Sequence, residues 1–175
     1  MISLYESLLD DFDNLSDAID HKEAIMLFLT EHYSIRGKIR ISKKLNKNDL
    51  YEVSCSGDVK FISGKSLTNG MFEWKNIDGM FECDNTDIQS LKGGPKKVNY
   101  LFSCANCQNL YSLEGSPIEC NDFDCSDTKI TTMIGGPKKV KNRIRMNNLK
   151  LMSWDGMPKG YKIIEANPNP VKNKI

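Results

Sequence analysis

The stretch FSCANCQNLYSLEGSPIECNDFDCSDTKITTMIGGPKKV, Phe102–Val140, decides the fold because it contains one pattern twice. Phe102 and Phe123 stand 21 residues apart, each followed two residues later by a cysteine, Cys104 or Cys125. Working outward, Phe81 with Cys83 precedes the pair at the same interval, and Ile144 with Met146 follows it. A fixed period of this length is the signature of stacked units.

Other positions keep step with those anchors. Apolar residues recur at Ile88, Leu110, Ile130 and Leu151, and again at Leu91, Leu113, Met133 and Trp154. Gly93, Gly115, Gly135 and Gly156 come next, followed by Pro95, Pro117, Pro137 and Pro158. A weaker first copy carries Val59, Phe61, Leu67, Trp74 and Ile77, with Trp74 where proline is expected. The result is about five units over residues 59–161. In each F-x-C strand the first and third side chains share a face, so Phe and Cys point inward and stack on their equivalents one unit along. Thr86, Cys107 and Thr128 form a ladder position able to bond the backbone at the turn. Glycine permits positive φ and proline fixes φ near −65° without donating, so G-x-P suits the place where the coil changes direction.

The repeated GGPKKV, at 93–98 and 135–140, reads as that turn and not as a phosphate loop. A phosphate loop needs several free N–H groups converging on a helix N-terminus, whereas here proline removes a donor and a strand follows.

The unit resembles a leucine-rich repeat, its L-x-L-x-x-N-x-L core mapping onto Phe102-x-Cys104-x-x-Cys107 and on to Leu110. It is similar, more closely, to the short repeats of small tailed-phage proteins, in which segments like SLEGSP (112–117) and GGPKKV lead into F-x-C. Those repeats are commonly entered by a segment like Val53-Ser-Cys-Ser-Gly-Asp-Val59. The resemblance covers roughly residues 35–161 and implies an interaction module that modulates or counters a host protein during infection, in the cytoplasm of the infected cell.

Upstream the pattern is different. Tyr5, Leu8, Leu9, Phe12 and Leu15 fall on one face of a helix over 2–15, and Asp20 with Glu23 caps a second helix, over 21–33. The apolar face of the second comprises Ala24, Leu27 and Phe28 with flanking Ile25 and Leu29. Residues 1–34 hold eight acids against Lys22 alone, about −7, while the remainder has 23 bases and 15 acids, about +8. The fold expected is therefore α+β: an acidic helical cap (1–34), a β-rich entry (35–58), a leucine-rich-repeat-like solenoid (59–161) and a C-terminal tail (162–175). The helices are expected to cover the first coil, which would otherwise expose apolar core. No apolar run of membrane-spanning length and no secretory leader pattern is seen, so no membrane partner is expected.

Catalytic and metal chemistry find little support. Cys104-x-x-Cys107 with Cys120-x-x-x-x-Cys125 has a zinc-like spacing, yet the repeat register accounts for five of the six cysteines. Core thiols are the reading adopted, with zinc or disulfides as the alternatives; no cofactor and no metal are expected. His21 and His32 lie in the helical region without a nucleophile beside them, and the acid pairs lie on an exposed helix face, so no enzyme is expected.

A solenoid offers a surface, and the outward residues of the F-x-C strands are the candidate partner-binding set: Met80, Glu82, Asp84, Leu101, Ser103, Asp122, Asp124, Arg143 and Arg145, with Ala105, Ser126 and Asn147 beside them. That face should run from acidic to basic, choosing a protein partner by charge. The alternatives are a nucleic-acid-binding accessory protein, using Lys96, Lys97, Lys138, Lys139, Lys141, Arg143 and Arg145, or a small virion component.

Overall fold

The computed structural model describes residues 20–166. One helix, α1 (20–32), is followed by eleven strands that wind into a β-solenoid of roughly five turns. The strands are β1 (Tyr33–Arg36), β2 (Ile39–Ile41), β3 (Tyr51–Cys55), β4 (Asp58–Phe61), β5 (Phe72–Ile77), β6 (Phe81–Glu82), β7 (Lys97–Val98), β8 (Leu101–Ser103), β9 (Glu119–Asp124), β10 (Lys139–Arg145) and β11 (Ile163–Glu165). The expected helix over 2–15 lies outside the described residues.

Each coil contributes to two arrays. In the first, β1, β4, β6, β8, β9, β10 and β11 lie side by side; in the second, β2, β3, β5, β7, β9 and β10 do. β9 and β10 run unbroken through the corner and belong to both. Coil-to-coil pairing is parallel, with Phe81 opposite Phe102, Phe102 opposite Phe123 and Phe123 opposite Ile144. The 21-residue period is thus one circuit of the coil. In the second array Ile77 pairs with Val98, and Cys120 with Val140, so the apolar residue after each proline lines the same core.

The core is a set of columns. Phe81 and Phe102 stack at 5.7 Å and 8°, Phe102 and Phe123 at 6.0 Å and 18°, and all three are fully buried. Cys83, Cys104 and Cys125 form the next column, each thiol reaching a carbonyl of the following coil, Ser103 (3.3 Å), Asp124 (3.5 Å) and Arg145 (3.6 Å). The Thr86 and Thr128 hydroxyls donate to the Cys83 and Cys125 carbonyls, and the Cys107 thiol replaces that contact by donating to the Cys83 carbonyl at 3.1 Å. At the glycine corner Gly93 and Gly135 adopt φ of 80° and 83°. A side chain at Gly115, φ 97°, would also strike the Leu91 carbonyl of the preceding coil at 2.3 Å.

A second left-handed corner repeats two residues after Cys83, Cys104, Cys125 and Met146. Asn85, Asn106, Asp127 and Asn148 have φ between 57° and 59°, conformations tolerated best by residues with short polar side chains. These side chains bond one another between coils: Asn106 Nδ2 to Asn85 Oδ1 (2.5 Å) and Asn148 Nδ2 to Asp127 Oδ1 (2.7 Å).

The N-terminal end is closed twice. β1 and β2 lie antiparallel to β4 and β3, covering the open edges of both arrays, and Gly37 and Gly57 touch where that stretch crosses the corner. A Cβ at Gly57 would lie 1.8 Å from the Arg36 carbonyl oxygen. α1 then seals the core with Ile25 and Leu29, while Phe28 meets the Phe72 ring at 6.0 Å. The capping stripe is Ile25, Phe28, Leu29 and His32; Leu27 is 60% exposed, so the broad apolar face expected is narrower by one residue. Beneath it the Tyr33 hydroxyl donates to the Leu67 carbonyl (2.6 Å) and accepts from Trp74 Nε1 (3.1 Å), which satisfies both buried polar aromatics.

At the other end β11 adds a parallel strand to β10, so the first array continues past Tyr161 into the segment expected to be a tail.

Candidate functional site

The outward residues of the first array fall into rows because the pairing is in register. One row runs Arg36, Asp58, Met80, Leu101, Asp122, Arg143, Ile163; the next runs Ser34, Lys60, Glu82, Ser103, Asp124, Arg145, Glu165. Eight of the nine predicted site residues are therefore brought onto one face; the ninth, Asp84, lies in neither row, just beyond the end of β6. Most are half-buried, since neighbouring rows shield one another.

Ser103 departs from the expected outward exposure: it is 1% exposed, and Ser126 is 6% exposed. The reason is its partner. Ser103 Oγ donates to Asp84 Oδ1 at 2.5 Å, and the Ala105 N–H reaches the same oxygen at 2.9 Å, so Asp84 folds over the serine as a bracket between coils. Burial pushes the Asp84 carboxyl above the usual range, partly offset by those two donors, and Glu82 and Asp124 add like-charge repulsion. Asp122 is likewise engaged, accepting from Asn142 Nδ2 (2.8 Å) and the Arg143 N–H (3.0 Å) where β10 bulges.

The expected gradient from acidic to basic is also altered. Arg145 Nε bonds Glu165 Oε2 at 3.0 Å and its guanidinium lies 3.8 Å from Asp124 Oδ2, while Arg143 Nε sits 3.3 Å from Glu165 Oε1. Glu165, on a strand that sequence reading placed in the tail, balances the basic end. The acidic stretch is left without such partners: among the described residues Glu82 and Asp84 form no ion pair. The charge character of the face is acidic at its centre, with Met80 and Leu101 as apolar neighbours.

The second array carries the lysines. Lys75 pairs with Glu52 at 2.5 Å, Lys96 with Glu73, and Lys139 and Lys141 with Glu119 at 3.6 and 2.7 Å. The hydrogen bond from Lys141 holds the Glu119 carboxyl below the usual range. The basic stripe considered from the sequence is thus interlaced with acids.

All six cysteines are buried and unpaired, and among the described residues no group of three or more His, Cys, Asp or Glu is placed to hold a metal. Burial pushes the thiols of Cys83, Cys104 and Cys125 well above the ordinary value and that of Cys120 up to about 12. These are core groups.

Two features escaped the sequence reading. The Asn/Asp corner was legible as a recurrent polar residue two places after Cys83, Cys104, Cys125 and Met146, at 85, 106, 127 and 148. Glu165 had no signal, because it lies beyond the last complete unit. No helix among the described residues is long and apolar enough to cross a membrane. No family model matches the chain, and no curated protein and no solved structure matches it either.

Proposed function

We propose that this protein is a phage-encoded, non-enzymatic protein-interaction scaffold that binds or inhibits a host protein, such as a defence protein, through the first-array face. The observation that carries the binding reading is the acidic centre of an in-register face, with Glu82 and Asp84 in no ion pair among the described residues, beside the half-buried Met80 and Leu101. Carboxylates fixed on parallel strands and flanked by apolar area suit recognition of a basic protein surface, where charge sets orientation and the apolar residues supply contact. The phage and host elements rest on the repeat resemblance alone, since fold does not dictate function.

The test is capture from host lysate with the full chain, followed by calorimetry with the captured protein. Glu82→Lys with Leu101→Lys should abolish capture while leaving the melting temperature almost unchanged, surface changes being worth within about ±0.5 kcal/mol. Capture that survives this double change and disappears on altering the second-array lysines would move the site. The nucleic-acid reading is weaker because acids interlace those lysines; binding to duplex DNA that falls steeply with salt would support it instead.

A further inference from the structure

The two ends of the solenoid core differ. At the N-terminal end α1 seals the columns with the buried Ile25 and Leu29. At the other end two inward positions stand open. Ile164 pairs with Ile144 as the last member of the Phe81, Phe102, Phe123 column, and it is 39% exposed. Trp154, in the column of Leu91, Leu113 and Met133, is 40% exposed. The earlier members of both columns are fully buried, and Tyr161 and Ile163 add exposed apolar surface beside the open pair. A repeat stack whose last coil shows its interior calls for a cover.

The backbone is open at the same place. Among the described residues β11 pairs with β10 alone. The Met146 N–H donates to the Glu165 carbonyl at 2.9 Å, so strand alternation turns the N–H and C=O of Ile164 to the outer edge. An unpaired edge beside exposed apolar side chains is a template for another strand.

We propose that the cover is a second copy of this chain, its β11 laid antiparallel to the first across a two-fold axis at Ile164. The two Ile164 residues then form a hydrogen-bonded pair that exchanges both N–H···O bonds. Directly opposed residues share a face, so the aromatic column of one solenoid continues through Ile164 into that of the other.

Charge fits this register. On the outward side each Ile163 falls opposite Glu165 of the second copy, giving a row of Arg143, Ile163, then Glu165 and Arg145 of the second copy. The two carboxylates do not oppose each other, and each stays beside its own arginines, Arg143 at 3.3 Å and Arg145 at 3.0 Å. The N-terminal end, sealed by α1, offers no matching opening, so the pairing closes at two copies and does not grow into a filament. The residues next along the chain, Asn167-Pro168-Asn169-Pro170, hold two prolines, which have no N–H to give the edge. A single coil's cross-section is a small contact, so the dimer is reversible.

Sedimentation equilibrium of the full chain over a range of concentrations tests this. The expected mass rises to twice that of the chain and stops there. Ile164→Pro removes the outer-edge donor and no bond within the chain, because the backbone groups of Ile163 and Glu165 are the ones that face β10; it should stay monomeric with an unchanged circular dichroism spectrum. The exposed Ile163 tests the register. Ile163→Lys meets Glu165 of the second copy with opposite charge and Ile163→Glu with like charge. The Lys variant should therefore dimerise roughly tenfold more tightly than the Glu variant, each contact being made twice, and the difference should shrink with salt. A mass that stays at one chain at every concentration, or climbs past two, overturns the proposal. So does a folded Ile164→Pro variant that still dimerises, or equal association of the two Ile163 variants. Capture of a host protein through Glu82 and Leu101 is read separately, and neither outcome decides the other.

Discussion

Replacing Phe102 with alanine tests whether the aromatic column holds the solenoid together. Phe102 is fully buried and stacked on both sides, against Phe81 at 5.7 Å and Phe123 at 6.0 Å. Truncating a buried phenylalanine costs about 3–5 kcal/mol, and each aromatic pair adds about 0.5–1.5 kcal/mol beyond area burial. With two pairs lost at once, the upper part of that range, about 4–5 kcal/mol, is expected. At roughly 2–4 °C per kcal/mol for a chain of this size, the melting temperature should fall by about 8–20 °C. Urea denaturation followed by far-ultraviolet circular dichroism measures the loss directly. A double-mutant cycle adds the sharper test: Phe102→Ala and Phe123→Ala share an interface and should couple by about 0.5–3 kcal/mol, whereas Phe81→Ala and Phe123→Ala, which do not touch, should add. A loss below about 1 kcal/mol, or strict additivity of the touching pair, would refute the view that coil-to-coil stacking is the main source of stability.

Asn106→Val should cost about 1–2 kcal/mol, because a β-branched residue is forced to φ 57° and the bond to Asn85 is lost; Asn106→Gly should recover most of it, and an equal loss in both variants would assign the effect to the side-chain ladder alone. Cys104→Asp should prevent folding by placing a carboxylate in a fully buried column, whereas Cys104→Ala should fold, and a soluble, cooperatively melting Asp variant would contradict the inward assignment. The Asp84 carboxyl is raised in the folded state, so its contribution to stability is fully present below the unfolded carboxylate value near ~3.9 and is lost as pH rises through the raised folded value. Asp84→Asn, which keeps an oxygen for Ser103 and Ala105, should therefore flatten that decline and gain most at neutral pH; a stability-pH curve parallel to that of the parent would show that the carboxylate bears no such strain.

The sequence by itself determined the circuit. A period of 21 with Phe and Cys two residues apart leaves little freedom: the strand alternation sends both inward, and G-x-P places the turn, so the Phe81, Phe102, Phe123 column was readable before any coordinates. The capping helix was readable too, from the apolar face of Ala24, Leu27 and Phe28 with flanking Ile25 and Leu29, although burial falls on the flanking pair and leaves Leu27 exposed. What only the tertiary structure decided depends on neighbours that no period connects. Whether an outward strand residue is exposed is set by what folds over it, which is why Asp84 buries Ser103 although both alternate outward. The charge of the face was settled by Glu165, brought beside Arg143 and Arg145 through pairing of β11 with β10 across about 20 residues of chain. The two-array cross-section arose the same way. A local pattern specifies which side of a strand faces the core, but the balance of charge on a surface is a sum over every strand that reaches it.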